Sequence, residues 1–295
     1  MRKLVIFLLS FMLATMVRAG KPVTVIITAG QSNTAGRCVN NSLPAYIKAL
    51  NGGYRYCQCS YTNGSTHMAD DEGLFRPFWP ECERSGKGAW RFAYDAIVYY
   101  LMEQALQKPF YVIKHAEGGT SIDIACKSTN NHHWSADKAF LDSTQSVNHG
   151  GLSLLKALED NIDKSLDALK AQGLKPVVRC MLWHQGESDR SMSQNYYDNL
   201  KAMVDHIRRH LVEKTGRKRY ASLPILCGAV PANSKQYHHQ VEEAKQQLAR
   251  EDKKFYYISL ENATFIGDQL HFDRSTAERL GRSMYSKMYD LRLCR

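Results

Sequence analysis

Four short stretches of this 295-residue chain hold side chains whose types and spacing could do chemistry. Ala29-Gly30-Gln31-Ser32-Asn33 sets a serine among small and polar residues directly after an apolar run. Asp268-Gln269-Leu270-His271-Phe272 sets a histidine three residues after an aspartate, so the ring can turn back onto the carboxylate. An aspartate so placed fixes the imidazole tautomer and stabilises the cation formed when the ring takes a proton. Ser32 as nucleophile, His271 as base and Asp268 as orienting acid make a set suited to acyl transfer.

The other two stretches supply polar groups for a developing negative charge. In Glu117-Gly118-Gly119-Thr120-Ser121 the paired glycines let the backbone approach a ligand and aim N–H groups at it. In Trp183-His184-Gln185-Gly186-Glu187-Ser188-Asp189 the Gln185 amide is an oxyanion donor candidate. The expected oxyanion donors are the N–H groups of Ser32 and Gly119 and the Gln185 side chain. Gln31, Asn33, Gly118, Thr120 and Glu187 are the expected substrate contacts. Singly, each stretch also reads as a turn serine, a tight turn, a buried polar cluster or a structural histidine. The four together are far more specific.

Elements must carry these stretches to one place. Apolar, β-branched or aromatic runs at 23–28, 110–114, 177–183, 224–230 and 255–260 read as strands buried on both faces. Between them, Leu152, Leu155, Leu158, Ile162, Leu166 and Leu169 recur at helical spacing. So do Leu200, Met203, Val204, Ile207 and Leu211, and Ile97, Val98, Leu101, Met102 and Ala105. Gly173 and Pro176 end the helix over 152–169, and Ser275 with Glu278 fits a capping box for a last helix toward Tyr289. Alternation of this kind predicts a parallel five-stranded sheet covered by helices on both sides, with every strand's carboxyl end on one edge. Ligands bind at that edge, and all four stretches follow strands or lie before the last helix.

Composition is that of a globular chain, 44% hydrophobic and 23% charged, which excludes collagen-like, mostly disordered or coiled-coil chains. Residues 1–19 read as a secretory signal: Arg2 and Lys3, an apolar run from Leu4 to Val17 too short to span a bilayer, then Arg18-Ala19. The expectation is a secreted or periplasmic protein without integral membrane association after cleavage, and a single domain over 20–295. Removing 1–19 takes away Arg2, Lys3 and Arg18 and no acid, so the formal +10 becomes +7. The charge is scattered and shows no aromatic-interleaved basic motif for nucleic acid. Long connections at about 37–88 and 116–150 are read as walls of a substrate cleft. Cys38, Cys57, Cys59 and Cys82 crowd the first of them, where disulfides stay open, and Cys180 and Cys227 lie in strand-like runs as buried thiols. The pairs His132-His133 and His238-His239 lack a third metal ligand at usable spacing, and no phosphate or dinucleotide loop follows a strand. The expectation is neither metal nor cofactor.

With these blocks in order, the chain from about Val23 to Tyr289 resembles the SGNH-type carbohydrate acetylesterases. Those it looks most like are sialate O-acetylesterase-like domains and carbohydrate esterase family six, which includes acetylxylan esterases. The resemblance implies a flavodoxin-like three-layer α/β/α sandwich (the SGNH hydrolase fold), metal-free ester hydrolysis and an acetylated carbohydrate substrate. It matches Ser32 to the nucleophile, His271 to the base, Asp268 to the third triad member, Gly119 to the backbone donor, and Gln185 to the usual Asn oxyanion donor; similar sequences carry Glu187 too, which makes it the rival of Asp268 as the acid. Two other readings remain: a non-catalytic glycan-binding protein stacking sugars on Trp79, Trp134, Tyr54, Tyr56 and Tyr61, and a lipase or thioesterase of the same fold.

Overall fold

The stretch from Val23 to Ala29 has alternating side chains that face two different apolar layers, and its burial on both sides makes it the centre of the sheet. The computed structural model describes residues 20–50, 53–63, 69–80 and 91–294. The signal-like segment 1–19 and Cys82 lie outside them. In chain order the elements are β1 (Lys21–Gly30), α1 (Ser32–Ala35), β2 (Cys38–Val39), α2 (Ala45–Lys48), β3 (Cys57–Thr62), β4 (Arg76–Pro77), β5 (Arg91–Phe92) and α3 (Tyr94–Leu106). There follow β6 (Phe110–Ala116), α4 (Lys138–Ser143), α5 (Leu154–Ala171), β7 (Leu174–His184), α6 (Tyr196–Thr215), β8 (Ile225–Gly228), α7 (His239–Glu251), β9 (Phe255–Ile258) and α8 (Arg274–Asp290).

The main sheet has seven strands in the order β4-β3-β6-β1-β7-β8-β9, all parallel except β4, which runs antiparallel to β3. The five expected strands lie side by side as β6-β1-β7-β8-β9, the flavodoxin-like order. From β1 the chain builds β3, β4 and β6 on one side, then crosses to β7 on the other. That reversal opens a crevice at the carboxyl end of β1, where ligands bind in such sheets.

Val25, Ile27 and Ala29 of β1 pack with α5, α6 and α7 through Leu158, Ile162, Leu200, Ile207 and Val241. Ile26 packs on the opposite side with α3 and α8 through Ile97, Met102, Leu280 and Met284. Helices on both faces make the three-layer α/β/α sandwich. Two residues of the expected stripes fall outside it: Leu152 precedes the Ser153 cap of α5, and Ala105 is exposed.

Seven strands replace the expected five because segment 37–88, expected as a cleft wall, supplies β3 and β4 to the sheet. Its β3 joins the β6 edge, held by the buried Glu103 carboxylate of α3, which accepts the N–H groups of Arg55, Tyr56 and Cys57 at 2.8–3.1 Å. Asn161 of α5 accepts from Ser60 at 2.7 Å and from the Gly73 N–H at 3.0 Å. The 116–150 connection also contains α4. A second correction concerns the last helix: its cap is Asp273, whose carboxylate accepts from Thr276 N, rather than Ser275. Glu278 instead bonds the Tyr46 hydroxyl and Arg282. Cys57, Cys180 and Cys227 are fully buried thiols, and burial pushes their pKa values up. Among the described residues no helix is long and apolar enough to cross a membrane.

Candidate active site

β1 ends at Gly30, where φ is +148° and a Cβ would sit 2.2 Å from the His184 carbonyl oxygen. Only glycine lets the chain turn this close to β7. The Gln31 N–H then donates to His184 O at 3.1 Å, and Ser32, 4% exposed, begins α1. The turn after β6 is tied to the same corner by Glu117 N donating to Gly30 O at 3.2 Å. A Cβ on Gly118 would come within 3.2 Å of the Ser32 Cβ, so the glycine pair lies directly against the serine side chain. Gly119, at φ +74°, accepts from Thr129 N at 2.9 Å, which fixes the turn.

Asp268 and His271 form a local unit. One carboxylate oxygen accepts the N–H groups of Leu270 and His271 at 2.9 and 2.8 Å; the other accepts the His271 Nδ1–H at 2.6 Å. With Nδ1 carrying the proton, Nε2 keeps its lone pair for a hydroxyl proton. Burial raises the Asp268 pKa, but those N–H groups and the imidazole outweigh it and leave it lowered. Burial holds the His271 pKa below its ordinary value, helped by the Arg37 charge and opposed by Asp268.

Asn33 brings this unit to Ser32. Its Oδ1 accepts the Phe272 N–H at 3.0 Å, and its Nδ2 donates to Leu270 O at 3.4 Å. One carboxamide thus straddles both neighbours of His271. The Cys38 thiol adds a bond to Phe272 O at 3.0 Å. Asn33, 3% exposed, is therefore a clamp rather than the expected substrate contact.

The rival acid Glu187 is 1% exposed; its Oε1 accepts from Asn33 Nδ2 at 3.0 Å and lies 3.7 Å from His184 Nδ1. Its other oxygen is buried without a protein partner. His184 bonds Ala229 O through Nε2, and burial lowers its pKa. Gln185 is fully buried: its amide donates to Thr120 O at 3.1 Å and to Asp189, and its oxygen accepts from Tyr196 at 3.0 Å. In this arrangement both N–H bonds are engaged behind the glycine turn, leaving none for the oxyanion assigned to it from sequence. Gln31 and Thr120, expected at the substrate, are also buried; the Thr120 hydroxyl donates to Glu117 O. Asp189, not singled out from sequence, ties this strand end to the turn after β6 through bonds to Ile122 N and Asp123 N.

Beside the glycine turn opens a cleft of about 590 Å³ lined by Gly119, Lys127, Thr129, Glu187, Arg190 and Gln236, among others. Arg190 is anchored on Glu187 O and Lys235 O. Lys127 and Thr129 come from the 116–150 connection, which lines this cleft. The aromatic expectations separate: Trp134 and Tyr54 belong to the core, Tyr56 and Tyr61 are half-buried, and Trp79 is exposed. His132 bonds Glu117, whereas His133 bonds Ser121 and Asn131, so that pair diverges. Among the described residues Glu72, His149 and Asp160 bring ligand-type atoms within 4.8 Å of one another, but the Lys164 ammonium already sits 2.6 Å from Glu72.

A flavodoxin-ordered sheet with a serine after its central strand and an Asp-His unit before its last helix is the arrangement expected of an SGNH-type hydrolase. The sequence model of the family described as carbohydrate esterase, sialic acid-specific acetylesterase matches residues 22–290, and the chain belongs to that family. It is a carboxylic ester hydrolase acting on carbohydrate O-acetyl groups. Among solved structures it is similar to NanS, at 13% identity over 94% of this chain and 99% of that one, with a TM-score of 0.65. A protein from Arabidopsis thaliana gives 18% identity, 91% and 98% coverage and a TM-score of 0.64. A carbohydrate acetylesterase from Xanthomonas citri gives 14%, 90% and 55%, and 0.51. No curated protein matches the chain.

Proposed function

We propose that Ser32, His271 and Asp268 remove O-acetyl groups from an acidic sugar through an acyl-enzyme. His271 Nε2 takes the Ser32 proton as Oγ attacks the acetyl carbonyl. The N–H groups of Ser32 and Gly119 hold the oxyanion, with Gln185 bracing the glycine turn from behind. His271 returns the proton to the departing sugar oxygen. Water, deprotonated by the same ring, then cleaves the acetyl-serine to acetate. Asp268 keeps Nδ1 protonated throughout.

The observation that carries this reading is the 2.6 Å Asp268–His271 bond on a segment that Asn33 holds beside Ser32. A sugar carboxylate suits the cleft, where Lys127 and Arg190 supply positive charge, and a sialic acid has one. An exported enzyme agrees with the basic-then-apolar stretch 1–19. The test is acetate release from O-acetylated sialic acids and from acetylated xylan. Faster release from the sialic acids is expected; equal or reversed rates would overturn the sugar assignment.

A further inference from the structure

We propose that Asp189 is a positioning residue for the oxyanion turn, its buried carboxylate keeping the chain after Gly118 in the shape that aims the Gly119 N–H at the reacting carbonyl. The inference rests on the Ser32 reading above and goes beyond it, because Asp189 acts through the backbone and not on the substrate.

The side chain is 0% exposed, and the groups that donate to it are neutral N–H groups. Oδ1 accepts from Ile122 N at 3.0 Å and Asp123 N at 2.9 Å; Oδ2 accepts from Ile122 N at 3.1 Å and from the Gln185 amide. The second Gln185 N–H goes to Thr120 O at 3.1 Å. Asp189 and Gln185 together therefore grip Thr120, Ile122 and Asp123, the residues that follow Gly119. Tyr196 of α6 holds Gln185 in turn, so the grip is anchored in the core.

Burying a carboxylate among neutral donors is costly unless those donors must be held. A neutral isostere cannot do the same. Asparagine offers one acceptor oxygen, and its amide would face either the backbone N–H groups or the Gln185 N–H groups, donor against donor. An oxyanion donor works only when preorganised, and Gly119 sits at φ +74° between the Glu117–Gly30 and Thr129 bonds on one side and this grip on the residues that follow it.

Burial pushes the Asp189 carboxyl up to about 6, against the pull of the Asp123 and Ile122 N–H groups and Gln185, and the Asp123 charge adds to the rise. The other titratable groups facing it are Cys126 on the β6 side and Tyr196 of α6; burial raises both, so they stay neutral at pH 6. A proton on Asp189 removes an acceptor from a cluster of donors and loosens the turn.

The test compares Asp189→Asn with the wild type on p-nitrophenyl acetate, reading kcat, KM and pH dependence, with circular dichroism and melting as fold controls. A misplaced donor should lower kcat about 10–100-fold while KM stays within about twofold. The acid limb of wild-type kcat should fall with two protons, those of Asp189 and His271, and that of the variant with one. A folded variant with kcat near wild type, a loss in KM alone, or an unchanged acid limb overturns the inference. Should the variant not fold, the wild type decides: a one-proton acid limb over the pH range where the fold is intact also overturns it. Ser32→Ala separates the two readings. If it stays active, the Ser32 mechanism fails; if it is dead while Asp189→Asn is unimpaired, only the Asp189 inference fails.

Discussion

The Glu187 carboxylate and the Asn33 carboxamide are joined by a 3.0 Å hydrogen bond, and by way of Asn33 the β7 turn reaches the histidine loop. Asp268, not Glu187, carries the bond to the imidazole. Glu187 supports the clamp that holds both flanks of His271.

That division of labour gives an order of mutational effects. Asp268→Asn presents the wrong partner to Nδ1 and should lower kcat about 10²–10⁴-fold, as tautomer loss does in related triads. Glu187→Gln keeps an acceptor for Asn33 and should cost less than about tenfold. Asn33→Ala removes both carboxamide bonds to the loop and should fall between them, with a lowered melting temperature. Steady-state kinetics on one chromogenic ester rank the three. A Glu187→Gln loss larger than that of Asp268→Asn would reverse the assignment of the acid.

Ser32→Ala and His271→Ala remove the proposed nucleophile and base from positions that contribute little to the core. Acetate release should drop by at least about 10³-fold in each, with melting temperatures close to wild type. Labelling by a fluorophosphonate should vanish in the first variant and slow strongly in the second. A well-folded variant with full turnover would end the serine mechanism.

Gly118 tests the closeness of the turn to the nucleophile. An alanine Cβ would meet Ser32 Cβ at 3.2 Å and the Arg37 guanidinium at 2.1 Å. The guanidinium ends a flexible side chain and can move; the serine is fixed by α1. Gly118→Ala should therefore lower kcat about tenfold or more with a small change in melting. Gly119→Ala should damage stability as well, since its φ of +74° is strained for any Cβ and Thr129 Oγ1 lies 2.4 Å from the new atom. Equal activity in Gly118→Ala and wild type would mean the turn stands farther from Ser32.

Acid sensitivity of the fold should centre on His115. The ring is fully buried, its Nδ1 shares a 2.7 Å bond with Thr62, and burial lowers its pKa to about 3. The unfolded chain takes this proton near pH 6.5. A depressed native pKa contributes stability that is complete above 6.5 and lost as pH falls toward 3. Between pH 7 and 5 this one group should remove about 2 kcal/mol. Urea melts of His115→Gln, which does not titrate, should show a correspondingly flatter dependence over that window. Parallel slopes for the two proteins would place the acid sensitivity elsewhere.

The five inner strands were legible because both their faces are buried, which writes a continuous apolar run into each. The blocks at 29–33, 117–121, 183–189 and 268–272 were legible because strand-end chemistry is local in sequence. β3 was not: Cys57-Gln58-Cys59-Ser60-Tyr61-Thr62 has no apolar run, and it is held by Glu103 and Asn161, which are distant in sequence. Roles inside the site blurred for the same reason. Gln185 and Asn33 carry the right groups for touching a substrate. Only their partners Thr120, Asp189, Leu270 and Phe272 reveal that they shape the backbone. Trp134 and Tyr54 look like sugar platforms until packing buries them.

Asn33 and Phe272 are 239 residues apart. A nascent polypeptide that has emerged only as far as β9 owns its serine but lacks both the imidazole and the far half of the clamp. Hydrolysis cannot begin until the last loop docks on the first turn, a closure across almost the whole chain and correspondingly slow. On the proposed mechanism the onset of turnover therefore times that closure, and a chain that has not yet delivered His271 is silent.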